Sequence, residues 1–396
     1  MTVFPAGFLV GAATAAHQIE GNNVASDLWR LEVAEDSPLG EPSGDACDSY
    51  QRWREDMELA AAAGLTAYRF SVEWARIEPA DGAFSPAQVL HYLAMVRYAR
   101  ELGLEPVLTL HHFTSPAWFS AEGGWLRADA VARFLAYVEA IEPVLAEAGR
   151  YVVTINEPNM VAVMAAVRAG QGDLETGLGG GLPTPLQPTV DALTAVHRAT
   201  RDYLHAHHPH LRVGWTVANQ VVQALPGGEA GANAYREAIE DQFLRVSREG
   251  DFVGVQSYTR NRVGPAGVLP VPEDAPTTLT GWEYYPASLG EAVRHTAEVV
   301  GHDVPVLVTE NGIATADDDQ RIAYTQGALA GLGAAVADGI DVRGYLHWSL
   351  LDNYEWGSYR PTFGLIAVDR RTFARTPKRS LGWLGEWARA GRFPRA

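Results

Sequence analysis

Tyr151-Val152-Val153-Thr154-Ile155-Asn156-Glu157-Pro158 decides how the rest of the chain is read. A β-favouring run without clean polar/apolar alternation fits a parallel strand buried on both faces. The polar pair and proline behind it mark a strand end meeting a helix start. Val308-Thr309-Glu310-Asn311-Gly312 repeats the arrangement, again closing a β-branched run with a glutamate. Working outward, similar runs occur at Phe8 to Ala12, Ala67 to Ser71, Pro106 to Leu110, Tyr151 to Ile155, Val213 to Val217, Phe252 to Gln256, Val306 to Thr309 and Gly344 to His347. Helical stretches long enough for right-handed crossovers separate them, the clearest carrying Phe134, Tyr137, Val138, Ile141 and Leu145 at helical spacing. Pro143 should kink or restart that helix, and Trp53, Met57 and Ala60 form a shorter stripe before the second strand. The pattern predicts an α/β fold of the (β/α)8 TIM-barrel type.

The 396 residues are 47% hydrophobic and contain no linker rich in proline, serine or charge, so one domain spanning 1–396 is expected. Cys47 is the only cysteine, which excludes a disulfide framework and a cysteine-based metal site. A formal charge of -17, from 31 basic against 48 acidic residues, would repel a phosphate backbone and argues against nucleic acid as a partner. Met1 through Val10 has neither basic residues nor a long apolar run. The expectation is a soluble, cytoplasmic protein without a membrane partner.

Arg262 to Ala287, rich in proline and threonine, reads as a loop after the sixth strand that shapes the mouth of a pocket. Gly177 to Gly181 lacks the lysine and hydroxyl residues of a phosphate cradle and reads as a flexible turn. His205, His207, His208 and His210 lack acidic or cysteine partners in a metal pattern and read as a partly exposed helix end. In His111-His112 the side chains should point to opposite faces; His111 is then the ligand-binding candidate and His112 the core residue.

Residues at the carboxyl ends of barrel strands converge on one opening. Here that opening collects Gln18, Arg69, His111, Asn156, Glu157, Tyr258, Glu310, Trp348 and Glu355, with Trp356 beside them. Two carboxyl groups at strand tips are what cleavage of a glycosidic bond through a covalent sugar intermediate needs, one attacking C1 and one protonating the departing oxygen. Arg69 and the Tyr258 hydroxyl are suited to keep Glu310 ionised, while a less polar setting would keep Glu157 protonated. Trp348 is suited to lie under a pyranose face, with Trp356 and Glu355 addressing hydroxyls. Each glutamate alone could equally be a helix cap or a turn residue.

Several ordered motifs give the chain a strong resemblance to glycoside hydrolase family 1, the β-glucosidase and β-galactosidase family. They are Gly11-Ala12-Ala13-Thr14-Ala15-Ala16-His17-Gln18-Ile19-Glu20-Gly21, Tyr68-Arg69-Phe70-Ser71, Asn156-Glu157-Pro158, Thr309-Glu310-Asn311-Gly312 and Trp348-Ser349-Leu350-Leu351-Asp352-Asn353-Tyr354-Glu355-Trp356. The resemblance implies the same barrel, with Glu157 as acid/base and Glu310 as nucleophile. It further implies that Gln18, His111, Asn156, Glu355 and Trp356 hold the non-reducing sugar, Asn156 at its 2-hydroxyl. Trp348 matches the platform aromatic, and Arg69 and Tyr258 match neighbours of the nucleophile. The implied partners are β-glucosides or short β-linked oligosaccharides, cleaved with retention and with neither metal nor organic cofactor.

The chain also departs from that family. Gln256-Ser257-Tyr258 stands where the family commonly has Asn-Tyr-Tyr, putting an amide with a longer arm beside the tyrosine. The segment Gly357 to Gly364 is one residue shorter than usual and carries Thr362 at an arginine position, which predicts altered access around Trp356. Glu355-Trp356 persists without a Ser, Lys and Tyr phosphate grip, so a neutral sugar is expected. Glucoside is the leading substrate, with galactoside or fucoside cross-activity. Preferential transglycosylation and noncatalytic sugar binding are the competing readings.

Overall fold

A computed structural model describes residues 2–172 and 181–395, so the Gly177 to Gly180 part of the glycine-rich turn lies outside the described residues. Eight parallel strands close into a barrel in sequential order: β1 Leu9–Ala13, β2 Ala67–Ser71, β3 Glu105–Thr109, β4 Tyr151–Asn156, β5 Arg212–Ala218, β6 Phe252–Gln256, β7 Val306–Asn311 and β8 Val342–Trp348. The sequence placed all eight within about two residues at each end, the usual uncertainty of such boundaries. The helical reading also holds: Trp53, Met57 and Ala60 lie buried on Ser49–Ala63. The helix Ala130–Ala140 stops before Pro143, which sits in the first turn of a new helix, Glu142–Ala146, where its missing amide leaves no helical bond unmade.

Two separate cores support the barrel. Outside the strands, helix residues such as Phe134, Tyr137 and Val138 pack with Leu108, Leu110 and Ile155 in one large apolar layer. Each such fully buried side chain contributes on the order of 1.5–3 kcal/mol. Inside, Ala13, Ala67, Val107, Val153, Leu307 and Leu346 form a cluster made of strand residues, with Tyr151 and Phe252 in edge contact at its floor. Gly214 is β5's contribution at that level, because a Cβ there would meet the Phe252 carbonyl oxygen at 2.4 Å and its ring at 3.0 Å. The filled floor leaves the carboxyl ends of the strands as the open face.

The region after β6 is more ordered than a plain loop. Asn261–Gly264 and Gly267–Leu269 form a hairpin that pairs with Val222–Ala224, and only from Leu269 onward does the chain run irregularly to the helix Ser288–Val300. In the histidine tract, the helix Gln187–His207 does end there; His205 pairs with Asp251 and His207 stacks on Tyr203. No helix among the described residues is long and apolar enough to cross a membrane.

Gly214→Ala should lower stability by about 1–3 kcal/mol, because neither a backbone carbonyl nor a floor ring can give way cheaply. Urea unfolding checks this; an unchanged midpoint would contradict the packing described.

Candidate active site

Arg69 projects from the middle of β2 into the barrel and is fully buried. Its Nη1 donates to Glu310 Oε1 at 2.6 Å, its Nη2 to Asn156 Oδ1 at 2.6 Å and its Nε to Thr109 Oγ1 at 3.0 Å. One guanidinium thereby joins β3, β4 and β7. The other Glu310 oxygen accepts from Tyr258 Oη at 2.6 Å. Burial and the charge of Glu310 push the tyrosine hydroxyl well above its usual value, so it remains a donor. Its main chain is fixed from behind, Tyr324 Oη donating to the Tyr258 carbonyl at 2.6 Å.

Glu157 occupies a different electrostatic position. It follows β4 with φ 45°, a left-handed conformation that costs a non-glycine residue about 1–3 kcal/mol, and its N–H donates to the Thr216 carbonyl at 3.0 Å. Its carboxyl accepts no hydrogen bond from the protein among the described residues. Burial raises it well above the ordinary carboxylate range and the charge of Glu310 raises it further, with Arg69 only partly opposing. Burial also raises Glu310, but Arg69 and Tyr258 both pull it back. Glu310 therefore ionises first, and Glu157 keeps its proton.

Around this pair stand groups suited to a polar ring with apolar faces. Gln18 Nε2 donates to the Tyr354 carbonyl at 2.8 Å and to Glu355 Oε2 at 3.4 Å, while Trp348 Nε1 donates to Glu355 Oε1 at 3.1 Å. Trp356 lies parallel to His17 at 6.2 Å on one side and near-parallel to His112 at 6.3 Å on the other; His112 in turn lies along Trp348 at 5.9 Å. His17 is held by Glu32 at 2.8 Å and Asn23 at 3.1 Å. The half-buried Trp282 packs 5.5 Å from the Tyr258 ring and 6.3 Å from Phe363.

The sequence model of glycosyl hydrolase family 1 matches residues 1–252 and 256–392. The chain belongs to that family. Thermostable beta-glucosidase B of Thermobispora bispora is 30% identical over 98% of this chain and 90% of its own length. A crystal structure of the beta-glycosidase BGL167 superposes with a TM-score of 0.90 at 44% identity, covering 99% of each chain. The family 1 b-glucosidase of Thermotoga maritima gives 0.89 at 25% identity over 99% of this chain and 100% of its own.

The family fold brings Gln18, Arg69, Asn156, Glu157, Tyr258, Glu310, Trp348, Glu355 and Trp356 to one mouth, as the contacts above record. His111 is the exception and requires a correction. Its Nε2 pairs with Ser115 Oγ at 3.0 Å and its ring meets Trp125 edge-on at 4.9 Å, within the aromatic layer under the helices. His112 instead joins Trp348 and Trp356, and burial together with the Arg69 charge holds it well below its usual value, hence neutral. The alternation that favoured His111 does not carry over, because β3 ends at Thr109, before either histidine. Two strands also lose simple alternation near the mouth, with a shift of register between Val153 and Asn156 on β4 and another between Val308 and Glu310 on β7.

Other residues escaped sequence reasoning altogether. Thr216 donates to Asn156 Oδ1 at 3.1 Å and accepts from the Glu157 N–H at 3.2 Å, tying the two neighbours together. Asn159 pins the helix after Glu157 to β5 through Ala218 and to the helical segment Glu237–Asp241 through Ile239, at 2.9 and 3.0 Å. A polar residue two positions past Glu157, with a helix around it, was the available signal. The shortened segment after Trp356 is tied to the first loop, Glu41 N donating to the Gly357 carbonyl at 2.9 Å, and Thr362 Oγ1 donates to the Thr315 carbonyl at 2.9 Å.

Tyr258→Phe removes a donor that lowers the Glu310 pKa, so that pKa rises and less Glu310 is ionised at a given acidic pH. The acidic limb of a kcat/KM profile should move to higher pH and the plateau fall about 10- to 100-fold. A profile with an unmoved acidic limb would contradict the assigned contact.

Proposed function

We propose that the protein is a cytoplasmic retaining β-glycosidase of the β-glucosidase type, which releases terminal non-reducing β-D-glucosyl residues from β-glucosides or short β-linked oligosaccharides. The observation that carries this reading is the asymmetry of the two carboxyls. Glu310 is clamped by a cation and a hydroxyl, whereas Glu157 has no donor among the described residues and lies in the field of Glu310.

In the first step Glu310 attacks C1 while Glu157 passes its proton to the departing glycosidic oxygen. Forming the ester removes the negative charge of Glu310, the second cause of the raised Glu157 pKa. Glu157 thereby becomes the stable anion at the moment a base is needed. It takes a proton from water, the water oxygen attacks C1, and Glu310 leaves as carboxylate to the waiting Arg69 and Tyr258 donors. Two inversions give net retention, and water is the only co-reactant.

For the sugar, Gln18, Glu355, Trp356 and His112 offer donors and acceptors for hydroxyls, and Trp348 offers a flat apolar face. The relatives named beta-glucosidases favour glucose. A relative named bifunctional beta-D-glucosidase/beta-D-fucosidase, from Bifidobacterium breve, is 27% identical over 96% of this chain and supports tolerance of fucoside as well.

Glu310→Gly should reduce hydrolysis of an aryl β-glucoside on the order of 10⁴-fold. The space left by the side chain should accept α-glucosyl fluoride, which mimics the covalent intermediate, and give β-linked product with a sugar acceptor. Wild-type activity measured on aryl β-glucoside, β-galactoside and β-fucoside ranks the sugars. No turnover on any of the three, with the fold intact, would overturn the proposal.

A further inference from the structure

Gln256 ends β6 and is paired in register with Glu310. Its side chain is 1% exposed, as is that of Asn156, and Gln256 Nε2 donates to Asn156 Oδ1 at 2.9 Å. The orientation of both amides is fixed. Arg69 can only donate, so the Asn156 atom facing it must be the oxygen; the Gln256 atom facing that oxygen must then be its NH2 group. What remains is Asn156 Nδ2 and Gln256 Oε1, both buried and both without a partner among the described residues.

Leaving a buried donor and a buried acceptor unpaired on touching amides is costly unless a ligand completes them. The two orphans are complementary in kind. A hydroxyl accepts one hydrogen bond and donates another, so a single hydroxyl satisfies both. Glu310, the residue beside Gln256 in the barrel wall, attacks C1; the hydroxyl nearest C1 on the ring is that of C2.

Resting on the glycosidase reading above, we infer that Gln256 is a specificity-determining residue whose Oε1 accepts a hydrogen bond from the C2 hydroxyl of the sugar while Asn156 Nδ2 donates to the same oxygen. The pair demands an O–H at C2. A 2-acetamido sugar presents a donor there without the accepting oxygen and leaves Asn156 unpaired, so such sugars are rejected. The longer arm of glutamine serves two purposes at once: its NH2 group locks Asn156, and its carbonyl reads the substrate.

Two aryl substrates separate reading from mere support: a β-glucoside, and its 2-deoxy-2-fluoro analogue, whose fluorine can accept from Asn156 but cannot donate to Gln256. Gln256→Met should lower kcat/KM for the glucoside about 10- to 100-fold. Covalent inactivation by the fluoro analogue should slow by a clearly smaller factor, because it loses only the hold on Asn156 and not the contact to the Gln256 carbonyl. Equal losses on both would mean that Gln256 acts only by holding Asn156, and would overturn the inference. Gln256→Asn keeps an amide on a shorter arm and carries the same test if the methionine variant does not fold: a larger loss on the glucoside than on the fluoro analogue supports the inference and a uniform loss overturns it. Wild-type protein inert towards both substrates would instead remove the glycosidase reading on which the inference stands.

Discussion

A guanidinium buried inside the barrel is the constraint on which the rest of the site depends. Arg69 cannot shed its proton and has no water to solvate it, so the protein must surround it with acceptors. Glu310, Asn156, Thr109 and the Thr309 carbonyl supply them from three strands. Each partner is placed by the arginine as much as it stabilises the arginine. The Glu310 carboxyl is drawn back toward ionisation against the effect of its burial, the asparagine amide is fixed in one orientation, and through that amide Thr216 and Gln256 are oriented in turn. Breaking a buried pair of this kind usually costs about 3–5 kcal/mol, so the charge arrangement and the fold stand or fall together at this level of the barrel.

The floor of the barrel is regular and its mouth is not, and the difference is functional. Val107, Val153 and Leu307 point inward as simple alternation requires. Nearer the mouth, the register slips on β4 and β7, and Asn156 N bonds to the His111 carbonyl in place of the next regular rung. A one-residue slip exchanges the inward and outward faces of a strand. Asn156 and Glu310 turn inward by this means, and His112 joins them beyond the end of β3. Strand β6 keeps its alternation, with Phe252, Gly254 and Gln256 on the inner side, which is how Gln256 reaches Asn156.

The aromatic wall is built on a similar chain of support. Trp356 has φ 48° and sits between His17 and His112, and the ring of His17 is fixed by Glu32, itself bound by Ser43. The Trp356 ring is therefore anchored in the first loop of the chain, far away in sequence. Tyr258, which donates to Glu310, forms a second aromatic group with Trp282 and Phe363.

The sequence by itself determined the eight strands, the helices between them and the two glutamates at strand tips. Burial on both faces, helical periodicity and proline placement are local properties that a short window of residues carries. It also exposed Gln256 as a departure without saying what its amide would touch. Tertiary structure decided the rest. Which of His111 and His112 joins the Trp348 and Trp356 rings depends on the path of the chain beyond the end of β3, and the meaning of Gln256 depends on Arg69 having already turned Asn156. Those outcomes follow from hydrogen bonds closed across the barrel between residues 87, 100 and 241 positions apart, contacts that no local pattern specifies.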